Sequence, residues 1–396
     1  MVAHGSFITV KKYIRMKNRS FFLIATSVFI SYQSFSQTSQ IKIAQNAVGK
    51  LQVAIASGMD KSKQMTVVGE GLKATESAQT DKKTKNWPET WAIRSYLSSY
   101  VALIDQDETN SEKYYATAVE TLDSAKRLDK FQSNTALTDA ANYNIILKKQ
   151  EKGSKAYNNN EFKTAFTLLK EVSDFFPKDT VISINTALSA QNINDYNSAL
   201  FYFKRAKDNG IKNPVVFQSM AGIYTSKFEQ EAAIRILEDG LKVNPYNIYL
   251  NNNYINLLLD NERYDQAKQV IEKSLTIESK NKLLYFLYGY LYQISSNNST
   301  AELAYKKALA LDQNYFDALY QLGLVYVNNA NDALKGDKEK RAQEFSALIN
   351  RAEFVLLQAH EINPNDRPTV QLLIDIYTRK NRLDKAQELK RKLEEF

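Results

Sequence analysis

KLLYFLYGYLYQISSNNSTAELAYKKALALDQNY, residues 282–315, is the stretch whose reading decides the fold. Tyr285, Tyr288, Gly289 and Tyr292 fall at helical spacing in its first half, and Ala301, Tyr305 and Ala308 in its second. Spacings of three and four place such residues on one helical face. Between them Ser295-Ser296-Asn297-Asn298 reads as a turn. The stretch is therefore two short helices, with the small side chain of Ala301 letting their backbones approach closely.

Outward from Ala301 the same alanine recurs. Ala165, Ala199, Ala233, Ala267 and Ala301 are 34 residues apart, Ala352 follows after 51 (34 plus a 17-residue insertion), and Ala386 after 34 more. Four residues beyond each of the first six stands a large apolar side chain: Leu169, Phe203, Leu237, Ile271, Tyr305 and Leu356. Seven beyond is a mostly small one: Val172, Ala206, Gly240, Ser274, Ala308 and Ala359. A fixed period of this length marks a stack of supersecondary units. The expected fold is all-α, an α–α superhelix of helix–turn–helix repeats.

The frame resembles the tetratricopeptide repeat, strongly over 146–396 and weakly over 88–130. Unit 214–247 contributes Phe217, Ala221, Tyr224, Ala233, Leu237 and Pro245; unit 316–366 contributes Leu322, Gly323, Tyr326, Ala352, Leu356, Ala359 and Pro364. Gln230 and Asn298 stand where that family has an aromatic, and Ile255 and Ile374 replace its small residue. Ala165 through Ala386, with Gly289 and Gly323, are the expected packing positions.

Seven units are read: 146–179, 180–213, 214–247, 248–281, 282–315, 316–366 and 367–396. The sixth carries a polar insertion at about 331–346, expected to project as a loop or to lengthen the second helix at its N-terminal side. In the seventh, Lys390 replaces the large apolar residue, giving the polar outer face that a terminal repeat needs. Upstream, 131–145 reads as a linking helix and 88–130 as a degenerate repeat with Trp91, Ala118 and Ala125. Residues 37–87 read as an N-terminal helical cap with two stripes, Ile41, Ala44, Val48, Leu51 and Ile55, then Met65, Val68 and Leu72.

Residues 1–36 read as a secretory leader. Lys11, Lys12, Arg15, Lys17 and Arg19 precede an apolar run, Phe21–Ile30, and Ser34-Phe35-Ser36 precedes Gln37. Met1 and Met16 both offer a start. Ten apolar residues span only about half of a ~30 Å hydrocarbon core, which argues against a membrane anchor. The leader's ending resembles signals of Bacteroidota, as does the elaborated repeat array, which implies a periplasmic or secreted protein cleaved near Ser36. Any attachment to the outer membrane is then peripheral, through a partner.

Composition excludes several chemistries. With no cysteine there are no disulfides, thiolate metal sites or acylated lipoprotein anchors. The leader carries +5 of the net charge of +8, leaving +3 for the remainder and no basic stripe for nucleic acid. Beyond the leader His360 is the only histidine, without a matched partner for catalysis. Gly69-Glu70-Gly71 lacks the rest of a dinucleotide fingerprint. Asp105 to Asn110 resembles the start of a calcium loop, but Ala116 stands where the bidentate acid belongs. No enzyme, cofactor, small-molecule or nucleic-acid role is expected.

The resemblance assigns the lining of a concave groove to the first helix of each unit. It falls here on Ile184, Gln191 and Asn192; Gln218; Tyr249, Asn252 and Asn256; Phe286, Tyr290 and Gln293; and Tyr320, Val327 and Asn328. Amides pair with peptide backbone, and aromatics bury large area with few rotors to freeze. Of the asparagine and basic residues by which some relatives bind C-terminal carboxylates, only Asn256 is present. The expected function is a non-catalytic scaffold that holds a protein or peptide segment. The alternative is a structural subunit of an envelope assembly such as a secretion, motility or outer-membrane machine.

Overall fold

The computed structural model describes residues 39–335 and 341–394, which contain eighteen α-helices and, among the described residues, no strand. The leader and part of the insertion, 336–340, lie outside the described residues. The chain divides into two compact units, one up to Ile211 and the other from Lys212 onward.

The first unit contains α1 (Ser39–Ala56), α2 (Lys61–Thr80), α3 (Pro88–Ile104), α4 (Glu108–Leu128), α5 (Thr135–Asn158), α6 (Phe162–Phe175), α7 (Thr180–Asn192) and α8 (Tyr196–Asp208). Ala44, Leu51, Val68, Leu97, Leu122 and Ile145 share one core. α2 runs on past Leu72, the last residue of its apolar stripe, with Ala74, Thr75 and Ala78 also buried; Gly71 lets it lie close on Leu97 of α3, where a Cβ would be 2.5 Å from that side chain. α5 is continuous through residues 145 and 146, so the expected division between a linking helix and the first repeat falls inside one helix. No proline or αL residue interrupts it before Asn160.

The second unit contains α9 (Pro214–Ser226), α10 (Gln230–Val243), α11 (Ile248–Asp260), α12 (Tyr264–Ile277), α13 (Lys282–Ile294), α14 (Asn298–Leu311), α15 (Phe316–Ala333), α16 (Arg341–Ile362), α17 (Arg367–Arg379) and α18 (Leu383–Glu394). Each helix packs on the next in sequence. α9, α11, α13, α15 and α17 are the first, or A, helices of their repeats; α10, α12, α14, α16 and α18 are the B helices. The insertion lengthens both helices of its repeat, α15 to 18 residues and α16 to 22, against 13 and 14 in α13 and α14.

Three local devices keep the 34-residue period. Ala165, Ala199, Ala233, Ala267, Ala301, Ala352 and Ala386 are all buried. Asp179, Asn213, Asn247 and Asn281 end successive repeats, and each accepts a backbone N–H from the first turn of the next A helix. Such N-caps satisfy donors that the helix leaves unpaired. Between A and B helices the chain turns through a left-handed residue at Asn160, Asn194, Phe228, Glu262, Ser296 and Asn381. Asparagine tolerates that conformation; Phe228, with φ of 59° and 88% exposed, is held in it against its preference.

Glycine and large residue then interlock within a repeat. A Cβ on Gly289 would lie 2.7 Å from the Tyr305 ring, one on Gly323 2.6 Å from Leu356, and one on Gly153 2.8 Å from Leu169. The large residue four places after the alanine therefore sits directly over the A-helix backbone.

Candidate functional site: the A-helix face

Charge is distributed unevenly between the two helices of the first three repeats of the second unit; farther on, the A helices are charged, α15 carrying Asp317 and Asp332 and α17 Arg367, Asp375 and Arg379. α9 has no charged residue, α11 only Asp260, and α13 only Lys282, which is paired with Asp312. Their B partners are densely charged: α10 carries Glu231, Arg235, Glu238, Asp239 and Lys242. α12 carries Asp265, Lys268, Glu272 and Lys273, and α14 carries Glu302, Lys306 and Lys307. In the first unit α7 is likewise uncharged.

Burial accounts for part of this asymmetry, since an unpaired charge is costly to desolvate. It does not account for the exposed A-helix positions. Tyr249 is 72% exposed and Tyr290 39%, Leu283 and Ile294 are also exposed, and Asn256 and Asn328 face solvent as amides. An accessible face that is aromatic, aliphatic and amide rather than charged has the composition of an interface core.

The other sequence-chosen residues of this unit are less free. Phe286 is half-buried, its ring 5.8 Å from Tyr305 and 5.4 Å from Tyr315. Tyr320 stacks on Phe316 with the rings 9° from parallel, and burial raises its phenol pKa. Asn252 and Gln218 are half-buried. Gln293 is half-buried and its Oε1 accepts the Tyr305 hydroxyl at 2.6 Å, so this amide oxygen braces α13 against α14. Val327 is buried, and so is Ile184 in the first unit, so neither lines an open face. These register positions sit where the A helix turns from the open face toward its B partner, and only the packed structure says which way each side chain goes.

In the first unit Asn192 is exposed; its Nδ2 donates to the Leu188 carbonyl at 2.9 Å and to the Tyr157 hydroxyl at 3.4 Å. Gln191 is half-buried, with its side-chain oxygen buried and without a hydrogen-bond partner.

Below the face, phenols tie one repeat to the next. Tyr254 donates to Glu238 at 2.8 Å and Tyr288 to Glu272 at 2.7 Å, a bond repeated at the 34-residue period. Burial first, then the Glu238 carboxylate for Tyr254 and the Tyr292 hydroxyl and Glu272 carboxylate for Tyr288, pushes both phenol pKa values well above the ordinary value, so both remain donors. His360 has a buried Nδ1 without a hydrogen-bond partner, and its pKa is lowered by burial and by Lys392. Asp105 and Asp107 are engaged in capping: Asp107 accepts from Asn110 N at 2.8 Å and Asp105 from Asp107 N at 3.0 Å. Among the described residues no acidic or histidine cluster could hold a metal, and no helix is long and apolar enough to cross a membrane.

The fold is of the tetratricopeptide type. No known family profile matches the chain. Among curated proteins it is similar to the general transcriptional corepressor trfA of Dictyostelium discoideum, 28% identical over 116 residues. That match spans 29% of this chain and only 8% of the corepressor. Among solved structures it is similar to MamA, at 20% identity and a TM-score of 0.40 over 46% of this chain and 90% of that one. It is also similar to YrrB, described as a TPR protein with an unusual peptide-binding site. There the identity is 17% and the TM-score 0.40, over 51% of this chain and 96% of YrrB.

Proposed function

We propose that the charge-poor face of the A helices α9, α11 and α13 holds an extended or helical segment of another protein, so that the chain works as a scaffold without a catalytic step. The observation that carries this reading is the charge asymmetry of these three repeats: apart from Asp260 and the paired Lys282, their A helices carry no charge and expose aromatic, aliphatic and amide side chains, while their B helices carry the charge. Tyr249 and Tyr290 supply apolar area at small rotamer loss, and Asn256 supplies a donor and an acceptor for peptide backbone. The leader composition of residues 1–36 supports a periplasmic or secreted location for this work.

The test is capture from the native cell by crosslinking, repeated with Tyr249→Ala, Asn256→Ala and Tyr290→Ala combined. These side chains are exposed or partly so, and the helical signal should not change. Loss of two anchors at about 2 kcal/mol each would cut affinity about a thousandfold. Undiminished capture of the same partner by the triple variant would remove the face from consideration.

A further inference from the structure

We infer that the B-helix side of the second unit carries a separate docking site, an apolar notch among cations that takes an acidic amphipathic helix. The notch is an open cavity of about 480 Å³ between α14 and α16, with α15 contributing to its lining. Lys306 and Leu309 come from α14, Leu322 and Tyr326 from α15, and Arg351 and Phe354 from α16. It belongs to the repeat that the insertion lengthens, and it does not depend on the function proposed for the A-helix face.

Phe354 and Leu303 occupy the same repeat position, two residues after the packing alanine, on an outward side of the B helix. They are 64% and 66% exposed. At that position other repeats have Thr167, Arg235, Gln269 and Glu388, as a solvated helix face demands. Phe201, the remaining apolar residue there, is 55% exposed but has the Arg205 guanidinium 4.8 Å from its ring. Phe354 has no such cover among the described residues. Two bare apolar side chains in consecutive repeats, beside a cavity, form a surface suited to a partner.

Charge complementarity selects that partner. Arg351 and Lys306 line the notch and no carboxylate does; Arg351 has no ion pair or side-chain hydrogen bond among the described residues. Lys306 is paired with Glu302, whose Oε1 also accepts the Tyr326 hydroxyl at 3.1 Å. Glu344 and Glu361 lie farther along the same stripe of α16, about two turns from Arg351 and Phe354 respectively. The centre of the notch is therefore cationic and its floor apolar. A helix with a bulky apolar residue for the floor and carboxylates within a turn on either side meets both demands, as helix-in-groove partners do. Two cations on the wall of an apolar cavity, one of them paired with Glu302, are too few and too localised to follow a nucleic-acid backbone.

The experiment pans a random 16-residue peptide library on the full chain and measures binding of the enriched peptides to three variants. Phe354→Asp and Arg351→Glu alter exposed side chains, and unchanged melting establishes that both fold. The expected result is a pool in which acidic residues flank an aromatic or large aliphatic one, weakened at least tenfold by either variant and unaffected by Tyr290→Ala. Peptides insensitive to Phe354→Asp, or an enriched pool without acidic residues, overturn the proposal. So does the absence of any enriched peptide. Sedimentation of the free chain supplies the remaining outcome: self-association abolished by Phe354→Asp would make a second copy the occupant and overturn the acidic helix.

Discussion

Repeats 248–281 and 282–315 have helices of the same lengths and the same N-cap, yet they solve the contact between A and B helices differently. In the second of them Gly289 lies under the ring of Tyr305, and α13 and α14 make close, extensive backbone contact. In the first, the equivalent positions hold Ile255 and Ile271, both buried, and α11 and α12 make much less backbone contact. A small residue opposite a large one lets backbones close; two β-branched residues of equal size hold them apart. The lesson is that the repeat conserves a filled volume rather than a particular pair, and the cost of a change depends on which solution it disturbs.

The largest effect should come from Tyr305→Ala. Gly289 has no side chain to lean into the hole, so a loss of about 4 kcal/mol is expected in urea unfolding. Ile271→Ala leaves Ile255 free to relax inward and should cost less, about 2–3 kcal/mol. Equal losses would break the comparison. Next is Gly289→Ala, which forces a methyl into the Tyr305 ring and should destabilise by about 1–3 kcal/mol. On the helix α9, Gly222 has nothing within 4 Å of a Cβ. There the same change should stabilise by about 0.5–1 kcal/mol, since alanine propagates a helix better. The two substitutions must differ in sign.

Caps sharpen the comparison by serving both repeats alike: Asn247→Ala and Asn281→Ala should each cost about 1 kcal/mol. A marked inequality would mean that packing of the repeat, not the cap, sets the entry of its A helix. Smallest is removal of the phenol bonds, Tyr254→Phe and Tyr288→Phe, at about 0.5–1 kcal/mol each. Because repeat arrays open locally, hydrogen exchange should be read beside urea unfolding, and amides of α11 and α12 should exchange before those of α13 and α14.

The period, the helix pairs and the packing alanines were all legible, because each rests on residues no more than one repeat apart. Ala165 through Ala386 needed only spacing to be recognised. The N-caps from Asp179 to Asn281 and the left-handed turn residues were equally present as a 34-residue pattern, and counting asparagine and aspartate at repeat ends finds the caps. Charge segregation between A and B helices was another missed signal. Ile184 and Val327 are buried rather than on an open face, since the repeat register gives an angle around the helix but not the position of the neighbour that covers it. The notch beside Phe354 was out of reach for the same reason: its walls come from three helices spread over more than fifty residues.

Local chemistry was enough to specify helix pairs of a given length, capped and turned at set intervals, with a small residue opposite a large one. Those are short-range constraints, written in each unit and repeated. Exposure was a tertiary decision. Whether Tyr290 faces solvent, Gln293 braces a ring or Phe354 overlooks a cavity depends on how closely neighbouring backbones approach, and that distance is set by the combined volume of side chains from several helices at once.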